Sequence, residues 1–197
     1  MSQSDLFQYL SAFVTIVLAI ALADMISSTH ILIRARKRVV WDARPLTMAA
    51  IVALHVVSEF FSIWFNLDLE QVSMGRLLWL LVTPTIFALL AYSALPDDVP
   101  QEGLDLSDFW QDERRLWVVL YLLALHLDFA RSLERLLSSG QSLNQFFLFA
   151  GPLWIAFVIG LAIIFLARGK LLSWAGIVIM AAATIAGVVG WNITAQP

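Results

Sequence analysis

An apolar run from Pro45 to Asn66 carries two ionisable residues, His55 and Glu59, near its middle. About 20 apolar residues are enough for an α-helix to cross the hydrocarbon core of a bilayer. A charge at the centre of such a helix costs roughly 2.5 to 3.5 kcal/mol on insertion scales, so a carboxyl and an imidazole placed there indicate a functional site. This run therefore predicts a membrane-spanning helix and a candidate functional site near its middle.

The composition extends the membrane interpretation to the whole chain. Of its 197 residues, 60% are hydrophobic and only 14% are charged, whereas a soluble domain is about 45 to 50% apolar. We therefore expect residues 1–197 to form one transmembrane domain. A net charge of -3 argues against nucleic acid as a partner, and the absence of cysteine excludes disulfides, iron–sulfur clusters and Cys-based zinc sites.

Six apolar runs predict an all-α integral membrane protein, a compact bundle of six transmembrane helices. The helices are expected at about 9–33, 46–66, 76–95, 116–137, 145–167 and 171–191. An acidic loop at 96–115 follows the third helix, and the spacing of Leu106, Phe109 and Trp110 predicts a short interfacial helix at about 106–115 within it.

Glycine and proline positions predict local features of the last two helices. Gly151-Pro152 is typical of a break near the start of the fifth helix. The small-residue pairs Ala156/Gly160 and Ala183/Gly187 favour close helix–helix contact.

Basic residues predict the orientation of the bundle. The expected cytoplasmic side carries nine of the 12 Lys and Arg residues of the chain: Arg34, Arg36, Lys37, Arg38, Arg44, Arg114, Arg115, Arg168 and Lys170. Because loops rich in Lys and Arg stay in the cytoplasm, we predict a bacterial-type plasma (inner) membrane, a cytoplasmic loop at 34–45, and N- and C-termini outside.

Polar residues in the second helix form a stripe. His55, Ser58, Glu59, Ser62 and Asn66 lie at offsets of 3, 4, 7 and 11, which places them on one helical face. With the helix directions above, residues on the first and fourth helices reach similar depths. The predicted polar pathway comprises Asp24, His55, Glu59, His126, Asp128 and Arg131.

This pathway favours a protein that moves protons, a cation or a small solute through helices 1, 2 and 4. A histidine titrates near neutral pH, and Arg131 attracts nearby carboxylates, so the pathway offers charges that can change reversibly. The simpler interpretation is that Asp128 and Arg131 neutralise each other at a helical spacing of three, and that His55 and Glu59 only hydrogen-bond.

Three other interpretations remain open. His55 and His126 would ligate haem b from both sides, or His55, Glu59 and His126, with Asp128, would bind a divalent cation. The chain would otherwise be a non-catalytic subunit, assembly factor or sensor whose partner protein docks on the acidic loop 97–113. A second copy of the chain, in a homo-oligomer, is a further candidate partner. An enzyme is less favoured, because no nucleophile motif such as Gly-x-Ser-x-Gly is present.

Overall fold

The computed structural model describes residues 3–66, 74–139 and 142–189, and this part of the chain is all-α apart from two short strands. The elements are α1 (Gln3–Arg34), β1 (Val39–Val40), α2 (Ala43–Asn66), α3 (Met74–Tyr92), β2 (Leu104–Asp105), α4 (Leu106–Ser139), α5 (Leu143–Leu166) and α6 (Lys170–Val189). The helical class and the order of six helices agree with the sequence prediction. Residue 191, the predicted end of the sixth helix, lies outside the described residues.

The helices are compatible with a membrane protein. By length and composition, four stretches in the described part are long and apolar enough to cross a bilayer: Gln8–Arg34, Ala43–Ser62, Leu106–Glu134 and Lys170–Val188. The apolar stretches Leu78–Tyr92 and Ala150–Leu166 are shorter. Many large apolar side chains lie exposed on the helices, as Ile20, Leu54 and Leu123 do, and six bilayer crossings remain a prediction.

The fourth helix corrects the predicted interfacial helix at 106–115. Leu106, Trp110, Trp117 and Tyr121 are buried along one face of a single helix that begins at Leu106. No proline or glycine interrupts this helix, and its buried stripe continues across the predicted boundary, so residues 106–115 are its first turns. The acidic segment at 96–115 is therefore a loop only as far as Gly103.

Helices α5 and α6 pack together through glycine. A Cβ atom on Gly176 would lie 2.7 Å from the carbonyl oxygen of Gly160 and 2.7 Å from Cγ1 of Ile164. Close contact at Gly160 is thus confirmed, whereas among the described residues no atom beyond the local backbone of α6 lies within 4 Å of the Cβ position of Gly187. The predicted break at Gly151-Pro152 is wrong, because α5 passes through both residues and a proline removes only one backbone donor.

The two strands hold the starts of α2 and α4 side by side. They pair in parallel, with Val39 opposite Leu104, and each is followed by a helix capped by an aspartate. The carboxylate of Asp42 accepts the backbone N–H of Arg44 at 2.9 Å, and that of Asp105 accepts the N–H of Ser107 at 2.6 Å, as an N-cap does. We call the region of β1, β2 and the first turns of α2 and α4 the sheet end of the bundle. The sequence did not predict these strands, because strands of two residues leave no periodic signal.

Arg44 is fully buried at the sheet end. Its Nη2 lies 2.6 Å from Oδ2 of Asp42 and donates to the hydroxyl of Ser107 at 2.8 Å, while its guanidinium lies 5.7 Å from the ring centroid of Trp110. In the sequence, Arg44 is only one of the basic residues that predict the orientation of the bundle in the membrane. In the structure it also joins the first turn of α2 to that of α4.

The end of α5 joins the same cluster. Buried Arg114 of α4 donates to the carbonyl oxygen of Ala167, one residue beyond α5. Nζ of Lys170, at the start of α6, lies 3.9 Å from Oδ2 of Asp42. The sheet end therefore gathers the connections α1–α2, α3–α4 and α5–α6, and side chains fill the space between them.

Replacing Gly176 by alanine is expected to destabilise the fold by about 1 to 3 kcal/mol, because the new methyl group overlaps the backbone of α5. Thermal unfolding of the purified protein in detergent measures the effect. Gly187→Ala on the same helix is the matched control and should not lower the melting temperature. Equal melting temperatures for the two variants would contradict the close packing of α5 on α6.

The stability that Asp42 contributes is expected to depend on pH. Hydrogen bonds from Arg44 hold the pKa of the Asp42 carboxyl below its ordinary value. The stability that Asp42 contributes is therefore fully present above about pH 3.9, the pKa of its carboxyl in the unfolded chain. This stability is lost as the pH falls through the lower pKa that the carboxyl has in the folded protein. Chemical unfolding between roughly pH 3 and 7 should show Asp42→Asn costing most near neutrality and least at the acidic end. Asp112→Asn, an exposed carboxylate change on α4, is the control, and a cost for Asp42→Asn that does not vary with pH would refute the linkage.

Candidate functional site: a polar cavity between α2, α4 and α5

A cavity of about 620 Å³ lies between α2, α4 and α5, with further wall atoms from α3 and α6. Ser62 near the end of α2, Ala150 near the start of α5 and Gly187 near the end of α6 all line it. The cavity therefore occupies the half of the bundle away from the sheet end. Its polar lining residues are His55, Ser58, Glu59, Ser62, Asp128 and Ser132. Its aromatic lining residues are His55, Phe87, Phe129, Trp154 and Phe157.

Arg131 of α4 connects the polar residues of this cavity. Its Nη1 donates to Oε1 of Glu59 at 2.7 Å and its Nη2 to Oε2 at 3.0 Å, so the pair across α2 and α4 is bidentate. Nη2 also donates to Oδ1 of Asp128 at 2.6 Å and to the hydroxyl of Ser62 at 3.2 Å. Two carboxylates from two helices thus share one guanidinium.

The two carboxylates differ in their access to the cavity. The Glu59 side chain is 5% exposed and that of Asp128 is 47% exposed. Glu59 uses both oxygens on Arg131, whereas Asp128 uses only Oδ1, and within the described residues its Oδ2 makes no hydrogen bond. Glu59 is therefore the buried structural partner of Arg131, and Asp128 presents its charge to the cavity.

Helical spacing explains why these groups meet. Asp128 and Arg131 lie three residues apart on α4, as predicted from the sequence, and Tyr121 and Ala124 share the same face. Glu59 faces them because the polar stripe of α2 turns toward α4. A charged pair broken by removing one partner inside a protein costs about 3 to 5 kcal/mol, so this contact fixes how α2 sits against α4.

His55 forms the aromatic part of the wall. Its Nδ1 lies 2.9 Å from the carbonyl oxygen of Ile51 and 3.1 Å from the hydroxyl of Tyr121. Because a carbonyl only accepts, Nδ1 carries the proton in the neutral ring and Nε2 keeps a lone pair. The imidazole stacks on Phe87 at 6.4 Å and meets the edge of Phe157 at 5.3 Å between centroids.

His126 does not meet His55. It is exposed, its Nδ1 lies 2.6 Å from the carbonyl oxygen of Leu122, and its ring contacts Trp154 at 5.5 Å. His126 is five residues before Arg131, which turns it by about 140° around α4 from the face that carries the network. The depth inferred from the sequence was compatible with contact between His126 and His55, but His126 lies on a different face of α4.

Asp24 is also apart from the cavity. It is half-buried on α1, a helix that packs on α2 and α3, and it is not among the described lining residues. The cavity is thus built from α2, α4 and α5, whereas helices 1, 2 and 4 were predicted to form the pathway. A role for Asp24 in that pathway stays a prediction.

The geometry adds no support for the predicted metal or haem sites. The described residues contain no group of three or more His, Asp or Glu side chains placed to hold one metal ion. His55 and Glu59 line the cavity, but His126 does not. Haem ligation by His55 and His126, and cation binding by His55, Glu59 and His126, stay predictions.

Sequence reasoning missed the aromatic side of the site. Tyr121 lies seven residues before Asp128 and ten before Arg131, so its place on the same helical face was available from the spacing. Trp154 and Phe157 of α5 lie three apart on one face, but aromatic residues at that spacing are common in any apolar helix. Only the packing of α5 on α4 reveals that these rings enclose the cavity.

No protein-family model, no curated protein and no solved structure matches this chain. The function of the chain is therefore inferred from the residues and geometry of the cavity.

A double-mutant cycle at Glu59 and Arg131 is expected to give a coupling free energy of about 1 to 3 kcal/mol, because either single change leaves the other charge buried. Glu59→Gln, Arg131→Gln and the double variant are compared by chemical unfolding in detergent. The Asp42 and Lys170 pair is the control cycle: its atoms are 3.9 Å apart and the lysine side chain is 72% exposed, so its coupling should be at most about 0.5 kcal/mol. Equal coupling in the two cycles would show that the Glu59–Arg131 pair is not buried as described.

Proposed function

We propose that this chain is a multi-pass membrane protein that binds a proton, a cation or a small solute in the cavity between α2, α4 and α5 and moves it across the bilayer. The observation that carries the proposal is the network of Glu59, Arg131 and Asp128, which opens on a cavity among apolar helices. Ionisable groups at such a depth are costly and mark substrate or ion pathways in membrane proteins.

The proposed orientation is supported by the way the connections gather. The connections predicted on the cytoplasmic side, the loop 34–45, the acidic segment 96–115 and the turn with Arg168 and Lys170, meet at the sheet end. Successive helices therefore alternate in direction, as six crossings require. The exposed Arg34, Arg36 and Lys37 lie in the first of these connections, which supports a cytoplasmic sheet end under the positive-inside rule.

The two ends of the bundle differ in a way that suits transport. Arg44, Trp110 and Arg114 are buried at the sheet end, where they join α2, α4 and the end of α5. The cavity occupies the other half. A site that lies in one half of the bundle, while side chains fill the other half, is compatible with one state of an alternating-access carrier.

Asp128 is the residue proposed to exchange partners during binding. Arg131 already holds Glu59 through both terminal nitrogens, and the more exposed Asp128 shares only Nη2. A cation or a proton arriving at Asp128 would replace that shared contact, while the Glu59–Arg131 pair keeps α2 and α4 together. His55, with its Nε2 lone pair, is a second acceptor on the same wall.

The alternative of a partner-binding subunit also stays a proposal. Asp97, Asp98, Glu102, Asp108 and Asp112 lie exposed around the sheet end, where a basic protein surface would find charge complementarity. Binding of a haem or metal, and self-association into a homo-oligomer, remain predictions with no further geometric support.

Asp128→Asn is expected to reduce transport by tenfold or more, because it removes the charge that faces the cavity and leaves the helix intact. Purified protein in liposomes is tested for proton flux with an entrapped pH dye, and for cation and small-solute flux by isotope uptake. Glu59→Gln should also reduce flux, through loss of the pair that orients Arg131.

Asp112→Asn makes the same chemical change at the other end of α4 and should leave every flux at the level of the unmodified protein. Flux that is equal in Asp128→Asn, Glu59→Gln and the control would sink the proposed function, as would liposomes that show no protein-dependent flux of any tested species.

A further inference from the structure

Aromatic rings from three helices enclose the cavity. Phe87 comes from α3, Phe129 from α4, and Trp154 and Phe157 from α5. Phe129 and Trp154 lie 5.2 Å apart between centroids, so they form one continuous wall. Aromatic faces attract a cation within about 6 Å and pack against apolar groups as well. The wall therefore suits a ligand that carries a positive charge and also has apolar groups.

The polar side of the cavity selects the sign of the ligand charge. Asp128 presents a partly exposed carboxylate that already shares Oδ1 with Arg131, but its Oδ2 makes no hydrogen bond within the described residues, and an apolar neutral ligand would cover this oxygen without pairing it, which is costly. An anion would need Arg131, but both terminal nitrogens of Arg131 are engaged by Glu59 and its Nε is buried. The available charge therefore favours a cation.

The size of the cavity argues against a bare inorganic ion as its full occupant. The volume of about 620 Å³ falls in the range of roughly 300 to 1,000 Å³ that drug-sized ligands occupy. A metal ion would need several oxygen or nitrogen ligands around it, and the described residues contain no such group. A proton needs no such volume.

We infer that the cavity takes an organic monocation with an aromatic or otherwise apolar body, whose positive charge pairs with Asp128 and whose body packs against Phe129, Trp154 and Phe157. This inference rests on the proposed function and names its substrate class. The cation replaces part of the Arg131 contact at Asp128, and the rings replace the water or lipid around the apolar body.

Two probes of matched shape and opposite charge test the inference: tetraphenylphosphonium, a cation, and tetraphenylborate, an anion. Binding is measured by equilibrium dialysis of the detergent-solubilised full chain, with empty micelles as the blank. Tetraphenylphosphonium should bind saturably, and Asp128→Asn should weaken it by roughly tenfold to a hundredfold, because a contact with a charged group is lost. Asp112→Asn should bind it as the unmodified protein does.

A second variant keeps the test decisive if Asp128→Asn does not fold. Phe157→Leu retains the charge and most of the apolar surface but removes one ring face, and it should weaken tetraphenylphosphonium binding by roughly threefold or more. Circular dichroism and gel filtration show that each variant is folded before it is compared.

The outcomes separate the substrate class from the transport proposal. Tetraphenylborate binding as tightly as the cation, or cation binding unaffected by Asp128→Asn and Phe157→Leu, would overturn the inferred class. No binding of the cation, together with flux of protons or another solute that depends on Asp128, would also overturn the class but leave the proposed function standing. Absence of both binding and flux would overturn the two together.

Discussion

The pairing of Arg131 with Glu59 is the interaction on which the half of the bundle away from the sheet end depends. A guanidinium and a carboxylate are expensive to remove from water, and good geometry between them is needed to offset that cost. Nε of Arg131 is buried and makes no hydrogen bond within the described residues. Here both terminal nitrogens of Arg131 reach Glu59, at 2.7 and 3.0 Å. The pair therefore fixes the rotation of α2 and α4 about their axes, and the rest of the polar cluster follows from that rotation.

The polar cavity lies beside this pair. Arg131 turns toward α2, and Asp128, one turn earlier, lines the gap between α2, α4 and α5. Ser58, Ser62 and Ser132 line the same gap. The buried charges and the cavity thus lie side by side among apolar helices.

Helical periodicity predicted much of this site from the sequence. The polar stripe through His55 and Glu59 is a local property of α2, and the position of Asp128 and Arg131 at a similar depth is a local property of α4. Both follow from 3.6 residues per turn. The direction in which His126 points depends on the rotation of α4 about its axis, and that rotation depends on what the whole helix packs against. The buried Trp110, Trp117 and Tyr121 set this rotation, and as a result His126 points away from His55. The long α4 and the paired strands depend on contacts between segments distant in the chain, such as Arg44 with Ser107, and no single segment encodes them.

The glycine contact between α5 and α6 has a mechanical consequence. Gly160 and Gly176 bring the backbones of α5 and α6 into close contact, so a tilt of one helix would carry the other with it, as one lever. At the sheet end the lever is attached to α4 through Arg114 and Ala167, whereas at the far end it meets α4 through ring contacts of Trp154 with Phe129 and His126. A helix of 24 residues is about 36 Å long, so a tilt of about 5° about the attached end moves the far end by about 3 Å. The width of the cavity would therefore change with a small change of angle at the opposite end of α5.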